Sequence, residues 1–210
     1  MTAPHVIVPI FPLPDLTFFP HTLLPLHVFE ARYRAMVMDA LERNRRLTVV
    51  RLQPGYEAGY AGKPPVYAVG GLGEMVSCER LANGRYNILL RGECRVRIEG
   101  ELPTDTLYRM VRARRLTDGE ATRDAGPALA RIRASCRELL SALSRPADLL
   151  DTALAEGQAP GVIADRVAAA VLPDVDLRQQ LLELLDVDAR VARVADAVEV
   201  LVRELKGGRE

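Results

Sequence analysis

Nucleophiles, bases and metal ligands are few in this 210-residue chain, and their spacing assembles no reaction centre. The histidines His5, His21 and His27 all fall in the first 27 residues, and the serines are Ser77, Ser135, Ser141 and Ser144. None of these serines stands in the G-x-S-x-G elbow that exposes a nucleophile. A Ser/Lys dyad needs a buried lysine as base, and the two lysines are Lys63, in a glycine-rich stretch, and Lys206, beside Gly207-Gly208. Every other fixed cation is arginine, which keeps its proton. His21 and His27 would share one face of a regular strand, with Glu30 as a third metal ligand, but Pro20 and Pro25 break that register and favour structural histidines. Cys78, Cys94 and Cys136 form no C-x-x-C pair, so they read as buried thiols rather than a zinc cage or a disulfide framework. The stretch Gly59–Pro64, GYAGKP, lacks the serine or threonine of a phosphate loop and has proline where helical amides would converge on phosphate. The chain therefore reads as non-enzymatic, with no catalytic residue, no metal ligand and no cofactor.

Binding chemistry is better represented. Arg91, Arg95 and Arg97, then Arg109, Arg112, Arg114 and Arg115, form a basic run, and strand alternation would put Arg95 and Arg97 on one face. Glu93, Glu99 and Glu101 intersperse it and few aromatics accompany it, so an ion-paired strand face is expected and nucleic acid is disfavoured. What remains is apolar: Phe18, Phe19, Leu23 and Leu24 near strand prolines, and Tyr56 and Tyr60 in the loop Gln53–Pro65. These six are the expected peptide-binding residues, in a groove where an extended chain adds to a sheet or lays down apolar side chains.

Two unlike regions must position them. Residues 1–115 carry 16 basic and 11 acidic side chains, a balance of +5; residues 116–210 carry 12 and 17, a balance of −5. In the first region alternating, β-branched segments recur at 47–52, 66–69, 72–81, 86–90, 94–99 and 109–116. Val6–Tyr33 is broken by Pro9, Pro12, Pro14, Pro20 and Pro25, and reads as two short kinked strands with crossovers at the prolines. It runs into a helix over 30–43 whose inner face holds Tyr33, Met36, Val37, Ala40 and Leu41. Asn83-Gly84 predicts a type I′ hairpin, and Gly70, Gly71 and Gly73 predict a bulge or a close backbone approach. From about Ala121 the period becomes helical: Leu129, Ile132, Cys136, Leu139 and Leu143 stripe one helix that Pro146 stops, short helices follow at 147–156 and 162–171, Asp174 or Asp176 caps the next, and Val191, Val194, Val198, Leu201 and Leu205 stripe the last.

Apolar residues make up 49% and charged residues 27%, the balance of an ordinary globular protein. No apolar run nears the roughly 20 residues that span a bilayer, and no basic start precedes the short apolar run at the N-terminus. No membrane association and a cytoplasmic location are expected.

The run PLPDLTFFPHTLLPLHVFEARYRAMV, the block Tyr67–Ile98 with its NGR turn, and the closing DLRQQLLELL at Asp176–Leu185 with the helix after it occur in an order that resembles the amino-terminal substrate-binding domain of Lon proteases. The resemblance implies an α+β fold: an N-terminal β-rich, PUA-like pseudo-barrel with one helix over residues 1–117, then an all-helical bundle over 118–210. It further implies a stand-alone member lacking the ATPase and peptidase modules. Its function would be noncatalytic recognition of unfolded or degron-bearing polypeptides, as an adaptor in protein quality control beside an ATP-dependent protease or chaperone. The alternative it leaves open is a small-molecule or RNA-binding module using the PUA-like barrel surface.

Overall fold

The N-terminal prolines shape the sheet more than any other residues. In the computed structural model, which describes residues 5–60 and 62–207, strand β1 (His5–Leu13) pairs antiparallel with β6 (Met110–Leu116) through residues 5–9 and then parallel with β3 (Arg46–Arg51) through residues 10–13. The strand changes partner at Pro9, so the missing amide interrupts no continuous ladder. Strand β2 (Leu23–Val28) is an edge that pairs with β5 (Tyr86–Leu102), and β5 pairs in turn with β4 (Val69–Arg80). The sheet order is β2-β5-β4-β3-β1-β6, and a further β5–β6 pairing closes it upon itself.

Two of the expected strand breaks do not occur. The segment expected at 72–81 takes in Val69, Gly70 and Gly71 to form β4, while Val66 of the segment expected at 66–69 makes only an isolated bridge to Leu52, and those at 86–90 and 94–99 merge into the 17-residue β5. Bulges between Leu72 and Gly73 and between Met75 and Ser77 absorb the irregularity without ending the ladder. The glycines mark a close approach as well. A Cβ on Gly71 would stand 2.0 Å from the carbonyl oxygen of Phe18, and one on Gly92 2.2 Å from that of Phe19. The Phe18–Phe19 backbone thus crosses directly over the sheet, secured by His21 N–H donating to Gly92 O and Gly92 N–H donating to Thr22 O.

The β4–β5 hairpin turns differently from expectation. Gly84 takes a positive φ of 76°, Asn83 does not, and Gly84 N–H donates to Leu81 O. This is a turn over Leu81–Gly84 completed by one left-handed glycine, not a type I′ turn with two.

Helix α1 (Ala31–Glu42) buries Tyr33, Met36, Val37 and Ala40 against Phe11, Phe18, Leu47, Met75 and Leu90. A second cluster, with Val8, Ile10, Val50, Leu72, Val96 and Val111, fills the other core of this unit.

The chain divides into two compact units, Met1–Thr117 and Asp118–Glu210. The described residues of the second hold helices α2 (Gly126–Ala142), α3 (Asp151–Leu154), α4 (Pro160–Val171), α5 (Val175–Glu183) and α6 (Val187–Gly207). Helix α6 packs on α2 and α4 through Val191, Val194 and Val198. Helix α2 ends before Pro146: Ser144 turns left-handed at φ 52°, Arg145 N–H donates back to Leu140 O, and Leu143 is left exposed. Asp174 caps α5, accepting from the amides of Asp176 and Leu177. Arg190 is wholly buried, with Nε 3.1 Å from Asp165 and its other nitrogens donating to Asp118 and to Leu184 O.

Candidate functional site

A cleft of about 260 Å³ opens on the β-rich unit between the start of α1, the loop before β4 and the segment joining β5 to β6. Pro103 ends β5, since it has no amide to extend the ladder. The Thr106 hydroxyl then donates to Tyr108 O, and the tight bend turns Leu107 outward, 70% exposed, and Tyr108 inward. Tyr108 is fixed from beneath by its hydroxyl, which donates to Asp39 at 2.5 Å. Burial, then that bond, pushes the Tyr108 hydroxyl up to about 12.

Across the cleft, Tyr60 clasps the loop to the helix. Its hydroxyl donates to Glu30 at 2.8 Å, and its carbonyl oxygen accepts from Arg32. The Arg32 guanidinium lies 4.8 Å from the Tyr60 ring centre and 4.7 Å from that of Tyr33, and also pairs with Glu30. Burial opposes the Arg32 charge, yet its neighbours Tyr33 and Glu30 raise its pKa on balance. Burial pushes the Tyr33 hydroxyl up to about 12, against the pull of Arg32. Tyr56 meets Tyr60 edge-on, with ring centres 6.1 Å apart.

The third wall is ionic. Arg109 donates to Pro64 O at 2.8 Å and to Glu101, and Lys63 stands 3.6 Å from the same carboxylate. Against the penalty of burial, these two cations hold the Glu101 carboxyl below its ordinary range. The arrangement offers aromatic faces, two threonine hydroxyls and three cationic heads, and no nucleophile poised beside a base.

The expected peptide-binding residues fall in three places. Tyr60 lines the cleft and Tyr56 abuts it. Leu23 is exposed and Leu24 half-buried on the edge strand β2. Phe18 and Phe19 form the backbone crossing itself, and their side chains are buried and present no surface. Arg32, Tyr33, Leu107, Tyr108 and Arg109 were not legible as site residues, because no short motif joins the start of a helix to a bend some 70 residues later; the Tyr56/Tyr60 pair was the one local signal. Within the phosphate-loop-like stretch, Ala61 lies outside the described residues, as does Gly208 of the terminal glycine pair.

His27 bonds Asn87 at 2.8 Å and Glu30 bonds Arg32 and Tyr60, so the conceivable His21/His27/Glu30 set is otherwise engaged. Among the described residues no cluster of histidine, cysteine and carboxylate could hold a metal ion, and no helix is long and apolar enough to cross a membrane. The arginine run is heavily paired: Arg91 with Glu74, Arg109 with Glu101, Arg114 with Glu99, Arg115 with Glu93. Arg95 and Arg97 do not act as a pair on the surface, since Arg95 is buried and Arg97 exposed.

Comparison with known proteins agrees with this architecture. The chain is 31% identical over 206 residues to Lon protease 2 of Sorangium cellulosum, covering 92% of this chain and 25% of that one. It is 30% identical over 187 residues to Lon protease 2 of Syntrophobacter fumaroxidans, covering 88% and 23%. The chain thus spans about a quarter of the length of these relatives. Among solved structures, the N-terminal domain of Mycobacterium avium complex Lon protease superposes with a TM-score of 0.73 at 19% identity, over 92% of this chain and 98% of that one, which establishes a shared mixed α and β fold. The family model described as the ATP-dependent protease La (LON) substrate-binding domain matches residues 7–200, and the chain belongs to that family.

Proposed function

We propose that this chain recognises unfolded or degron-bearing polypeptide without catalysing a reaction, and that the cleft of the β-rich unit is where it does so. The observation that carries the reading is the cleft itself: aromatic walls of Tyr33, Tyr60 and Tyr108 beside the exposed Leu107, in a chain of a substrate-binding-domain family. A concave site that combines apolar and aromatic walls with a few fixed polar groups suits a side chain of an extended peptide. Leu23 and Leu24 on the unpaired edge of β2 offer a second strip along which such a peptide could extend by strand addition. In this reading residues 1–117 are a PUA-like pseudo-barrel that binds, and residues 118–210 a helical bundle that supports. The chain then serves in the cytoplasm as an adaptor that hands polypeptide to an ATP-dependent protease or chaperone. The ion pairing of the arginine run favours this over RNA.

Binding of a fluorescent, reduced and carboxymethylated polypeptide, followed by anisotropy, tests the site. Tyr60→Ala and Leu107→Asp should each weaken binding by about tenfold or more, the loss expected from a central aromatic or apolar anchor. Unchanged affinity in both variants would remove the cleft from the account.

A further inference from the structure

The charged groups around the cleft are unequally balanced. Among the described residues Arg32, Lys63 and Arg109 line it and no carboxylate does. The carboxylates that meet these cations are Glu30, which takes Arg32, and Glu101, which serves both Arg109 and Lys63. Three positive heads therefore share two negative ones. Lys63 is the least committed: its head is 3.6 Å from Glu101 and its side chain is 68% exposed. The cleft also lies at the N-terminus of α1, twelve residues long, where the carboxylate of the N-cap residue Glu30, already paired with Arg32, offsets the positive end of the helix. In the opposite wall the hydroxyls of Thr104 and Thr106 are 2.8 Å apart; Thr106 gives its proton to Tyr108 O, so the Thr104 hydroxyl is the one that can turn to donate to an incoming oxygen.

We propose that the cleft selects an apolar peptide segment by a carboxylate that the segment itself carries, the carboxylate set between Lys63 and Arg109 and the apolar side chain against Tyr60, Tyr108 and Leu107. This rests on the reading of the cleft as a polypeptide site. The carboxylate has two sources, the free end of a chain or an aspartate or glutamate beside an apolar residue. Either would supply the charge that Glu101 alone leaves unmatched, through charge-assisted hydrogen bonds stronger than neutral ones.

The test uses the full chain and three dansylated hexapeptides of one apolar sequence ending in leucine-phenylalanine: the free acid, the amide, and an amide with glutamate before the leucine. The free acid should bind about tenfold tighter than the plain amide, and the difference should shrink in Lys63→Gln, a change at an exposed side chain that leaves the fold intact, and at high salt. Tight binding of the glutamate peptide as well assigns the carboxylate to either source; tight binding of the acid alone assigns it to the chain end. Tight binding of the glutamate amide alone assigns it to a side chain, whereas equal binding of all three peptides, lost in Tyr60→Ala, overturns the carboxylate requirement while keeping the polypeptide site. Binding of none of the three peptides overturns both.

Discussion

Two arginines, Arg190 in the helical unit and Arg32 in the β-rich unit, show where this protein keeps its polar chemistry for itself and where it presents it. Arg190 is wholly buried and surrounded by groups of its own unit: Asp165, Asp118 and Leu184 O. Its guanidinium even claims the space beside Gly161, where a Cβ would approach Nη2 to 2.8 Å. Arg32 has the same chemistry in the opposite setting, partly exposed at a cleft rim, stacked between two tyrosine rings and paired with one carboxylate. A buried pair specifies structure and has nothing left to offer a ligand. A stacked rim arginine fixes the walls of an opening. The proposed function accordingly assigns support to the helices and recognition to the sheet.

The sharpest way to break the comparison is to remove the buried arginine. Arg190→Met removes the guanidinium that stands 3.1 Å from Asp165, itself 1% exposed. Leaving a charge buried in this way costs about 3–5 kcal/mol, so the urea denaturation midpoint should drop steeply. A loss below about 1 kcal/mol would mean that the Asp165–Arg190 contact is not structural.

Gly71→Ala comes next, because the new methyl would meet the Phe18 carbonyl and force the crossing segment off the sheet. Overpacking of this kind costs roughly 1–3 kcal/mol, readable in the same denaturation curve. The same substitution at Gly100, where a Cβ meets nothing within 4 Å, gives the control.

The third test is alkaline. Tyr33 and Tyr108 titrate at about 12 in the folded chain against an ordinary 10.0. Above pH 10 the unfolded chain gives up protons that the folded chain retains, so stability is full below pH 10 and is lost as pH rises toward 12. Tyr33→Phe and Tyr108→Phe should each flatten that decline. A decline unchanged in the double variant would assign it to other groups.

The smallest effect is expected at Arg131, exposed on α2 and paired with Asp196 and Glu199 of α6. Solvent screens such pairs. Arg131→Ala should leave the denaturation midpoint where it was, and a clear shift would show the helical unit to depend on its surface charges.

The sequence told much of this, for reasons that differ by element. The inner face of α1 was legible because Tyr33, Met36, Val37 and Ala40 recur at helical spacing, and all four are buried. The stripe of α6 was legible at Val191, Val194 and Val198, but it continues through the buried Val202, with Leu201 and Leu205 half-buried. The glycines at 71 and 73 announced a close approach, but what approaches them, the backbone and ring of Phe18, lies more than fifty residues earlier and left no local trace. Nothing local therefore tells that Phe18 and Phe19, expected among the peptide-binding residues, are core. Leu143 was read as core because the stripe continued through it, whereas the left-handed Ser144 ends α2 first. Tyr60 stood out as an aromatic in a polar loop. Its partners Glu30 and Arg32 stand together at the start of α1, about thirty residues earlier, and only the folded chain brings them beside the loop.

The claim that recognition belongs to the cleft is tested most directly by amide hydrogen exchange of the full chain with and without a saturating reduced, carboxymethylated polypeptide. The account predicts slowed exchange in the loop around Tyr60, at the start of α1 and across residues 102–109, with α6 unchanged. Protection confined to the helical unit, or none anywhere on bound protein, would contradict it.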